Sequence, residues 1–302
     1  MNRLIYALLM AFKSITRYKV ASTALISGVA ILFMWIGVSF LLWHPLTSLT
    51  SKLLEFVPFA LIKSNGAWML SSLLFVQVVF ITLAFFIIIL SSTIVKDAKE
   101  GKYTIYLFTL AFAVILFWSA VWFFNSTTIY SALTRLLTWL PFETIEKGIA
   151  YIFAAYLIYA FYVVSLLIYV SLFSEKIINS VSRVDISKVS EIKVIGYTLK
   201  DAFIFLVVSV VAFPILFIPV LNFFAQIFVW IWLIKDTFTY DIGAIFFKED
   251  RLRELKKEHK SAILSISFAS SLFNFVPILN IFAPYFGEFA LYHYFESLKD
   301  DM

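Results

Sequence analysis

The chain contains no cysteine, few histidines and few charged residues. Without cysteine it can form no disulfide, no thiolate metal site and no cysteine nucleophile. Its three histidines lie far apart in the sequence, without the spacing of a metal-binding motif, and neither a phosphate-binding loop nor a nucleophile elbow is present. We therefore expect neither enzyme activity nor a cofactor.

What the chain has instead is apolar sequence: 62% of its 302 residues are hydrophobic, 14% are charged, and the mean hydropathy is +0.95. Soluble globular proteins carry roughly 25% charged residues, so we predict an all-α integral membrane protein. The net charge of +5 is modest and better explained by topology signals than by nucleic-acid binding. Six uncharged runs exceed the ~20 residues that cross a bilayer: Val20–Trp43, Ser64–Val95, Tyr103–Thr134, Gly148–Ser174, Ala202–Ile234 and Ser261–Gly287.

The first 19 residues favour a helix lying on the membrane surface. Leu4, Leu8 and Phe12 recur at helical spacing, while Lys13 and Arg17 lie mostly on other faces. A simple basic flank to the first span explains the same residues equally well.

An internal repeat with an offset of 83 residues organises the next part of the chain. "AILFMW" at 30–35 is similar to "AVILFW" at 113–118, and "KLLEFVPF" at 52–59 is similar to "RLLTWLPF" at 135–142. We therefore predict two related span pairs, residues 20–95 and 103–178, and four full spans.

The distribution of lysine and arginine predicts a cytoplasmic N-terminus and C-terminus. The two loops that would be external carry two basic residues each, and the two that would be cytoplasmic carry three and five.

Seven more basic residues follow between Lys235 and Lys260, so the run Ala202–Ile234 should return to the side it entered from. Each half would contain about 12 to 16 residues, or ~18 to 24 Å of helix, too short for the ~30 Å hydrocarbon core. We predict two re-entrant hairpins within 201–296, in a single membrane domain over 1–302.

Two similar stretches, "FIPVLN" at 217–222 and "FVPILN" at 275–280, mark the turns of these hairpins. Proline stops a helix and asparagine caps the start of one, so we expect the first arms to end just before Pro219 and Pro277. The returning arms should start at Asn222 and Asn280. Helix N-termini held inside a membrane attract anions, which would make these turns an anion-binding vestibule. Alternatively, the asparagines only satisfy their own turns.

Longer stretches around these turns carry a family resemblance: "LFIPVLNFFAQIFVWIW" at 216–232, "FFKEDRLRELKKEHK" at 246–260 and "FVPILNIFAPYFGEFA" at 275–290. With "WLPF" at 139–142 and "SLFSEKI" at 171–177, they resemble the CysZ sulfate permeases and the wider etoposide-induced-protein family. The resemblance covers residues 139–296 and, loosely, 1–43. It implies transmembrane helices with two half-penetrating hairpins, and sulfate uptake across a bacterial inner membrane.

The sequence also departs from that family. The Pro-Gly-x-Arg stretch associated there with sulfate binding is absent, and "SITRYK" stands in its place, leaving Arg17 and Lys19 as the nearby cations. Both flank the start of a span, where topology alone would also place them. The Pro-Phe-Asn landmark is replaced by "LFS" at 172–174, and the chain carries an extra pair of spans.

Two further features are candidates for a functional role: Glu288 and the charged segment 249–258. Glu288 follows Asn280 by eight residues on one helical face, and an ionisable residue at membrane depth points to function, although a solvated carboxylate near the interface is an alternative. The charged segment 249–258 alternates basic and acidic residues, which is typical of a solvated membrane-facing helix; anion gathering is the alternative.

The leading hypothesis is a CysZ-like permease for sulfate or a related small oxyanion, with Pro219, Asn222, Pro277 and Asn280 on its path. The alternative is a non-transporting scaffold or lipid-interacting protein whose hairpins insert into one leaflet. The expected partners are the lipid bilayer and a small anion. Half-penetrating hairpins need neighbours to seal a pathway, which favours a homo-oligomer.

Overall fold

A computed structural model describes the backbone over residues 3–55, 100–139, 145–182, 191–217, 221–274 and 279–299, and at ten positions between 67 and 86. Over these residues the regular structure is helical and contains no strand, which confirms the all-α class. The helices are α1 (Arg3–Ile15), α2 (Tyr18–Glu55), α3 (Glu100–Phe124), α4 (Ser126–Trp139), α5 (Ile145–Asn179), α6 (Glu191–Ala212), α7 (Leu221–Phe246), α8 (Glu249–Glu258), α9 (Lys260–Phe273) and α10 (Ala283–Lys299). Two 3-10 turns, Phe213–Phe217 and Leu279–Phe282, precede α7 and α10.

The chain divides into two compact units. The first unit contains Met1–Trp35, Ala160–Val208 and Ile227–Met302. The second unit contains Ile36–Tyr159 and Ser209–Gln226.

Several helices are long and apolar enough to cross a membrane. By length and composition these are Tyr18–Glu55, Lys147–Asn179 and Gly196–Ile215, and the bent pair α3–α4 would be a fourth. The prediction of about four spanning elements is confirmed in number for the described part of the chain, although Gly196–Ile215 overlaps the segment that we predicted to be re-entrant. The predicted span at 64–95 lies largely outside the described residues.

The two copies of the sequence repeat differ in structure. α2 is one continuous helix from 18 to 55, whereas its counterpart at an offset of 83 residues is broken at Asn125, where α3 and α4 meet at a bend of 73°. The Asn125 side chain donates a hydrogen bond to the carbonyl of Val121, 2.9 Å away. The backbone N–H of Asn125 donates to the same carbonyl over 3.0 Å, and the equivalent position in α2 is Leu42, whose side chain can make no such bond.

The first predicted hairpin is built from longer helices than we expected. α6 has 22 residues and α7 has 26, about 33 and 39 Å of helix, which exceed the ~30 Å hydrocarbon core. The predicted short arms are therefore wrong, because both helices continue into charged sequence beyond the run Ala202–Ile234. Only the loop-charge argument still favours a turn inside the membrane here, and it stays a prediction.

Pro214 accounts for the early end of α6. The helix ends at Ala212 and passes into a 3-10 turn that contains Pro214, whereas we expected it to continue to Pro219. Proline lacks an N–H, and its ring clashes with the carbonyl four residues earlier, so the first proline stops the helix. Pro219 lies outside the described residues. α7 begins at Leu221, within one residue of the expected restart at Asn222.

The second predicted hairpin keeps short arms. α9 has 14 residues and α10 has 17, about 21 and 26 Å, both below the ~30 Å core. The expected cap at Asn280 is wrong: Asn280 lies in the 3-10 turn, and α10 begins three residues later, at Ala283. Pro284 is the second residue of α10 and is tolerated there, but it has no N–H to donate to the Asn280 carbonyl and so prevents an earlier start. Pro277 lies outside the described residues.

The first unit is built around α10. α1 packs along it and buries Ala7 and Ala11, two small side chains one turn apart that allow two helices to approach closely. Leu9 and Phe12 of α1 remain exposed. Residues 3–15 thus form a helix with an apolar outer face, and its position at the membrane surface stays a prediction.

The second unit is held by aromatic side chains. The rings of Phe153 and Phe213 stack with centroids 3.4 Å apart. The indole N–H of Trp122 donates to Ser71 Oγ over 2.6 Å, and that of Trp118 donates to Thr82 Oγ1 over 3.0 Å. These bonds satisfy the polar atoms of large side chains in an apolar setting.

We predict that Gly28→Ala lowers the thermal midpoint of unfolding in detergent. A Cβ at position 28 would lie 2.5 Å from Cγ2 of the buried, β-branched Ile281, and such overpacking costs about 1–3 kcal/mol. Gly37→Ala is the matched control, because nothing lies within 4 Å of a Cβ there and alanine favours a helix by about 0.5–1 kcal/mol. Equal stability of the two variants would contradict the packing of α2 on this turn.

Candidate functional site

The candidate site centres on α10, a helix that is buried on nearly every side. Fourteen of its 17 residues are buried, among them the ionisable residues Glu288, which is fully inaccessible, and His293. Ionisable side chains inside an apolar chain are costly and are retained where they have a function. α10 therefore carries two buried ionisable side chains on which a functional site in the first unit could be built.

The first turn of α10 is joined to α2 by a hydrogen bond between hydroxyls. Tyr285 Oη and Ser27 Oγ lie 2.7 Å apart, and both residues are buried. Since Ser27 Oγ donates to the Ala24 carbonyl at 3.1 Å, the tyrosine hydroxyl is the donor in this pair. Neither residue was among the candidates from sequence.

Three serines of α9 are buried, and one of them contacts α10. Ser270 donates to the carbonyl of Ala283, the first residue of α10, over 2.6 Å. Gly287 lets the two helices approach, because a Cβ there would lie 2.8 Å from Ser270 Oγ. Ser267 and Ser271 are also fully buried. The spacing of three serines at i, i+3 and i+4 is a sequence signal that could have identified this face.

Glu288 follows Gly287 directly and has no exposed surface. Its charge interacts with the Tyr285 hydroxyl, three residues earlier on the same helix. The structure therefore places Glu288 in the interior and not at a solvated interface, which favours the functional interpretation of this carboxylate.

A second set of buried polar groups lies among α5, α6 and α7. Ser174 Oγ donates to Oδ1 of the fully buried Asp241 over 3.4 Å. Ser171 and Thr198 hydroxyls lie 3.1 Å apart. No sequence pattern selects these residues: Asp241 lies between the apolar runs Ala202–Ile234 and Ser261–Gly287, and its burial depends on tertiary packing.

The far end of α10 forms a junction with α1. Ser14 Oγ lies 3.1 Å from His293 Nε2, and His293 Nδ1 lies 3.3 Å from Glu296 Oε2. In the neutral ring, Nδ1–H donates to the carboxylate and Nε2 accepts from the serine hydroxyl. Burial lowers the pKa of the His293 imidazole, and the nearby Arg17 charge lowers it further, against the opposing effect of Glu296.

The predicted cations flank this junction. Arg17 is exposed, and its guanidinium donates to the Val181 carbonyl over 3.1 Å, just beyond the C-terminus of α5, where a positive charge is favourable. Lys19 is also exposed. Arg17 thus has a structural contact in addition to its predicted role toward an anion.

The two predicted asparagines belong to different units. Asn280 is partly buried in the first unit, and Asn222 is in the first turn of α7 in the second unit, where the structure describes its backbone only. Their predicted role in binding an anion stays a prediction.

Comparison with known families identifies the chain's relatives. The family model described as "Sulfate transporter CysZ/Etoposide-induced protein 2.4" matches residues 102–284, more than half of the chain. The protein belongs to this family. The match includes both Pro-Asn turns and the basic region of α8, and it ends four residues before Glu288. No curated protein and no solved structure gives a significant match.

We predict that the stability of the protein increases with pH between the lowered pKa of His293 and the ordinary histidine pKa of about 6.5. In that interval the unfolded chain binds a proton that the folded protein does not, so acidification favours unfolding by up to about 1.4 kcal/mol per pH unit. His293→Gln should flatten this part of the profile of thermal midpoint against pH. An unchanged slope in the variant would contradict a neutral buried imidazole.

We also predict that Ser27 and Tyr285 are energetically coupled. Ser27→Ala and Tyr285→Phe should each destabilise the protein, and the double variant should lose less than the sum of the two. The difference, measured by a double-mutant cycle on unfolding in detergent, should be about 0.5–1.5 kcal/mol, the net contribution of one hydrogen bond. Strict additivity would contradict the bond.

Proposed function

We propose that this protein is a permease that moves sulfate or a related small oxyanion across a bacterial inner membrane, with both termini in the cytoplasm. The observation that carries the proposal is the family match, whose description names a sulfate transporter and which covers the turns at 217–222 and 275–280. On this proposal the chain carries no catalytic role.

The polar interior of the first unit supports a transport role. Buried serine hydroxyls donate within the protein, as Ser270 does to the Ala283 carbonyl. A hydroxyl that exchanged such an acceptor for an oxyanion would bind the anion without adding a fixed charge that holds it too tightly.

The path in this proposal passes the two Pro-Asn turns. The α7 N-terminus begins at Leu221, and the 3-10 turn and α10 restart the chain at Leu279 and Ala283. The free amides at such starts carry partial positive charge that favours an anion. Arg17 and Lys19 would attract the anion from solution, Glu288 would act as a gating or proton-accepting group, and a homo-oligomer would seal the hairpins.

The direct test is uptake of labelled sulfate into proteoliposomes. We expect flux above that of protein-free liposomes when a sulfate gradient is imposed. Asn280→Ala and Asn222→Ala should each lower the initial rate about fivefold, because each removes a side-chain amide donor to the anion, and one hydrogen bond of about 1 kcal/mol corresponds to that factor. Ser131→Ala is the control, since the Ser131 hydroxyl is exposed and donates within α4 to the Thr128 carbonyl.

Absence of protein-dependent flux under every gradient would overturn the proposal. That result would favour the scaffold or lipid-interacting alternative, for which the exposed apolar face of α1 at Leu9 and Phe12 is the supporting feature.

A further inference from the structure

One charged cluster in the first unit is distinct from the surroundings of α10. Asp236 of α7 lies between two lysines, and each of its carboxylate oxygens faces a different ammonium group. Lys256 Nζ of α8 is 2.5 Å from Oδ1, and Lys235 Nζ of α7 is 3.3 Å from Oδ2. We call Lys235, Asp236 and Lys256 the lysine clamp. The arrangement is that of an anion held between two cations.

The clamp is partly shielded from water. The side chains of Lys235, Asp236 and Lys256 are 24%, 18% and 25% exposed, so their charges interact more strongly than those of a solvated surface pair. They also remain open enough for a small ion to reach them.

Aromatic rings fix the position of one lysine. Lys256 Nζ lies 4.5 Å from the centre of the Tyr240 ring, and Tyr197 stacks on Tyr240 with centroids 4.8 Å apart. A cation over an aromatic face is attracted independently of any carboxylate. Lys256 is therefore held in place by a contact that would persist if Asp236 moved away.

The cluster has an excess of positive charge. Asp201 of α6 interacts electrostatically with the three clamp residues and with its neighbour Lys200, so the surroundings of Asp201 contain three lysines and two aspartates. An incoming dianion would neutralise both clamp lysines, whereas the single charge of Asp236 neutralises one. The charge balance favours an oxyanion of charge −2.

Lys256 differs from the arginines of the same helix. Arg251 pairs with Glu254 at 3.0 Å, and Arg253 pairs with Glu249 at 2.8 Å, so both contact carboxylates of α8 itself. These pairs are more exposed than the clamp. Lys256 instead reaches across to α7, which separates it from the solvated, membrane-facing surface that the sequence predicted for the whole segment.

We propose that the lysine clamp is an oxyanion-binding site in which Asp236 is an internal counter-ion that the transported anion displaces. This inference rests on the proposed function and assigns a site to it. Ammonium groups on flexible stems suit a site that must release its ligand, because they hold an anion by charge and not by a rigid bidentate fork.

A purely structural ion pair makes a different prediction. If the clamp only ties α8 to α7, neutralising either partner should weaken the same contact, and Asp236→Asn and Lys256→Gln should change sulfate binding in the same direction. In a displacement site the two variants act oppositely, because one removes the competitor and the other removes a ligand.

The experiment measures the thermal midpoint of the full-length protein in detergent as sulfate replaces chloride at constant ionic strength. We expect sulfate to raise the midpoint of the wild type. The apparent Kd for sulfate should fall about tenfold in Asp236→Asn and rise about tenfold in Lys256→Gln and Lys235→Gln, as for charge-assisted hydrogen bonds gained or lost. Lys257→Gln is the matched control, with the same substitution one residue along α8, and should bind like the wild type.

The inference is overturned if Asp236→Asn binds sulfate no better than the wild type, or if Lys257→Gln loses binding as Lys256→Gln does. Should Lys256→Gln fail to fold, as judged by gel filtration and circular dichroism, the opposite shifts of Asp236→Asn and Lys235→Gln decide the question alone.

A parallel uptake assay separates this inference from the proposed function. Sulfate binding with the expected pattern among variants but without flux in proteoliposomes would support the clamp and overturn the permease. Flux with no difference among the clamp variants would support the permease and overturn the clamp.

Discussion

The burial of α10 is the constraint on which the first unit depends. A helix enclosed on nearly every side must satisfy each of its polar groups from its neighbours, because no water is available to do so. α2 contributes Ser27 to Tyr285, α9 contributes Ser270 to the Ala283 carbonyl, and α1 contributes Ser14 to His293. These hydrogen bonds connect α1, α2 and α9 to the same helix, α10.

Close approach makes these bonds feasible. Gly28 accommodates Ile281, and Gly287 accommodates Ser270, with spaces too small for a Cβ without a shift of the neighbour. Ala7 and Ala11 do the same for α1. In a membrane the hydrophobic effect contributes little between helices, so contact area and internal hydrogen bonds carry the association. In this unit the small residues let the helices approach closely, and the hydroxyls form the hydrogen bonds that this close approach allows.

Prolines set the ends of two helices in this protein. Where a segment contains more than one proline, the first one that the helix reaches ends it. We expected Pro219 to end α6, yet Pro214 lies earlier in the chain and ends it first. Pro284 similarly sets the start of α10 after Asn280. Both outcomes follow from the missing N–H of proline, and both could have been predicted from sequence by considering every proline in the segment.

The sequence by itself determined the class of protein, the approximate number of spans and the family, because apolar run length, charge and local motifs are encoded in neighbouring residues. It also located the turns to within a few residues, as at Leu221 and Ala283. Only the tertiary structure decided which polar residues are interior. Glu288 and Asp241 are both fully buried, yet Glu288 directly follows the run Ser261–Gly287 and Asp241 lies between two runs, so the run boundaries identify neither as interior. The pairing of Lys256 with Asp236 likewise joins residues 20 positions apart, and local sequence patterns carry no information about contacts made when separate helices pack together.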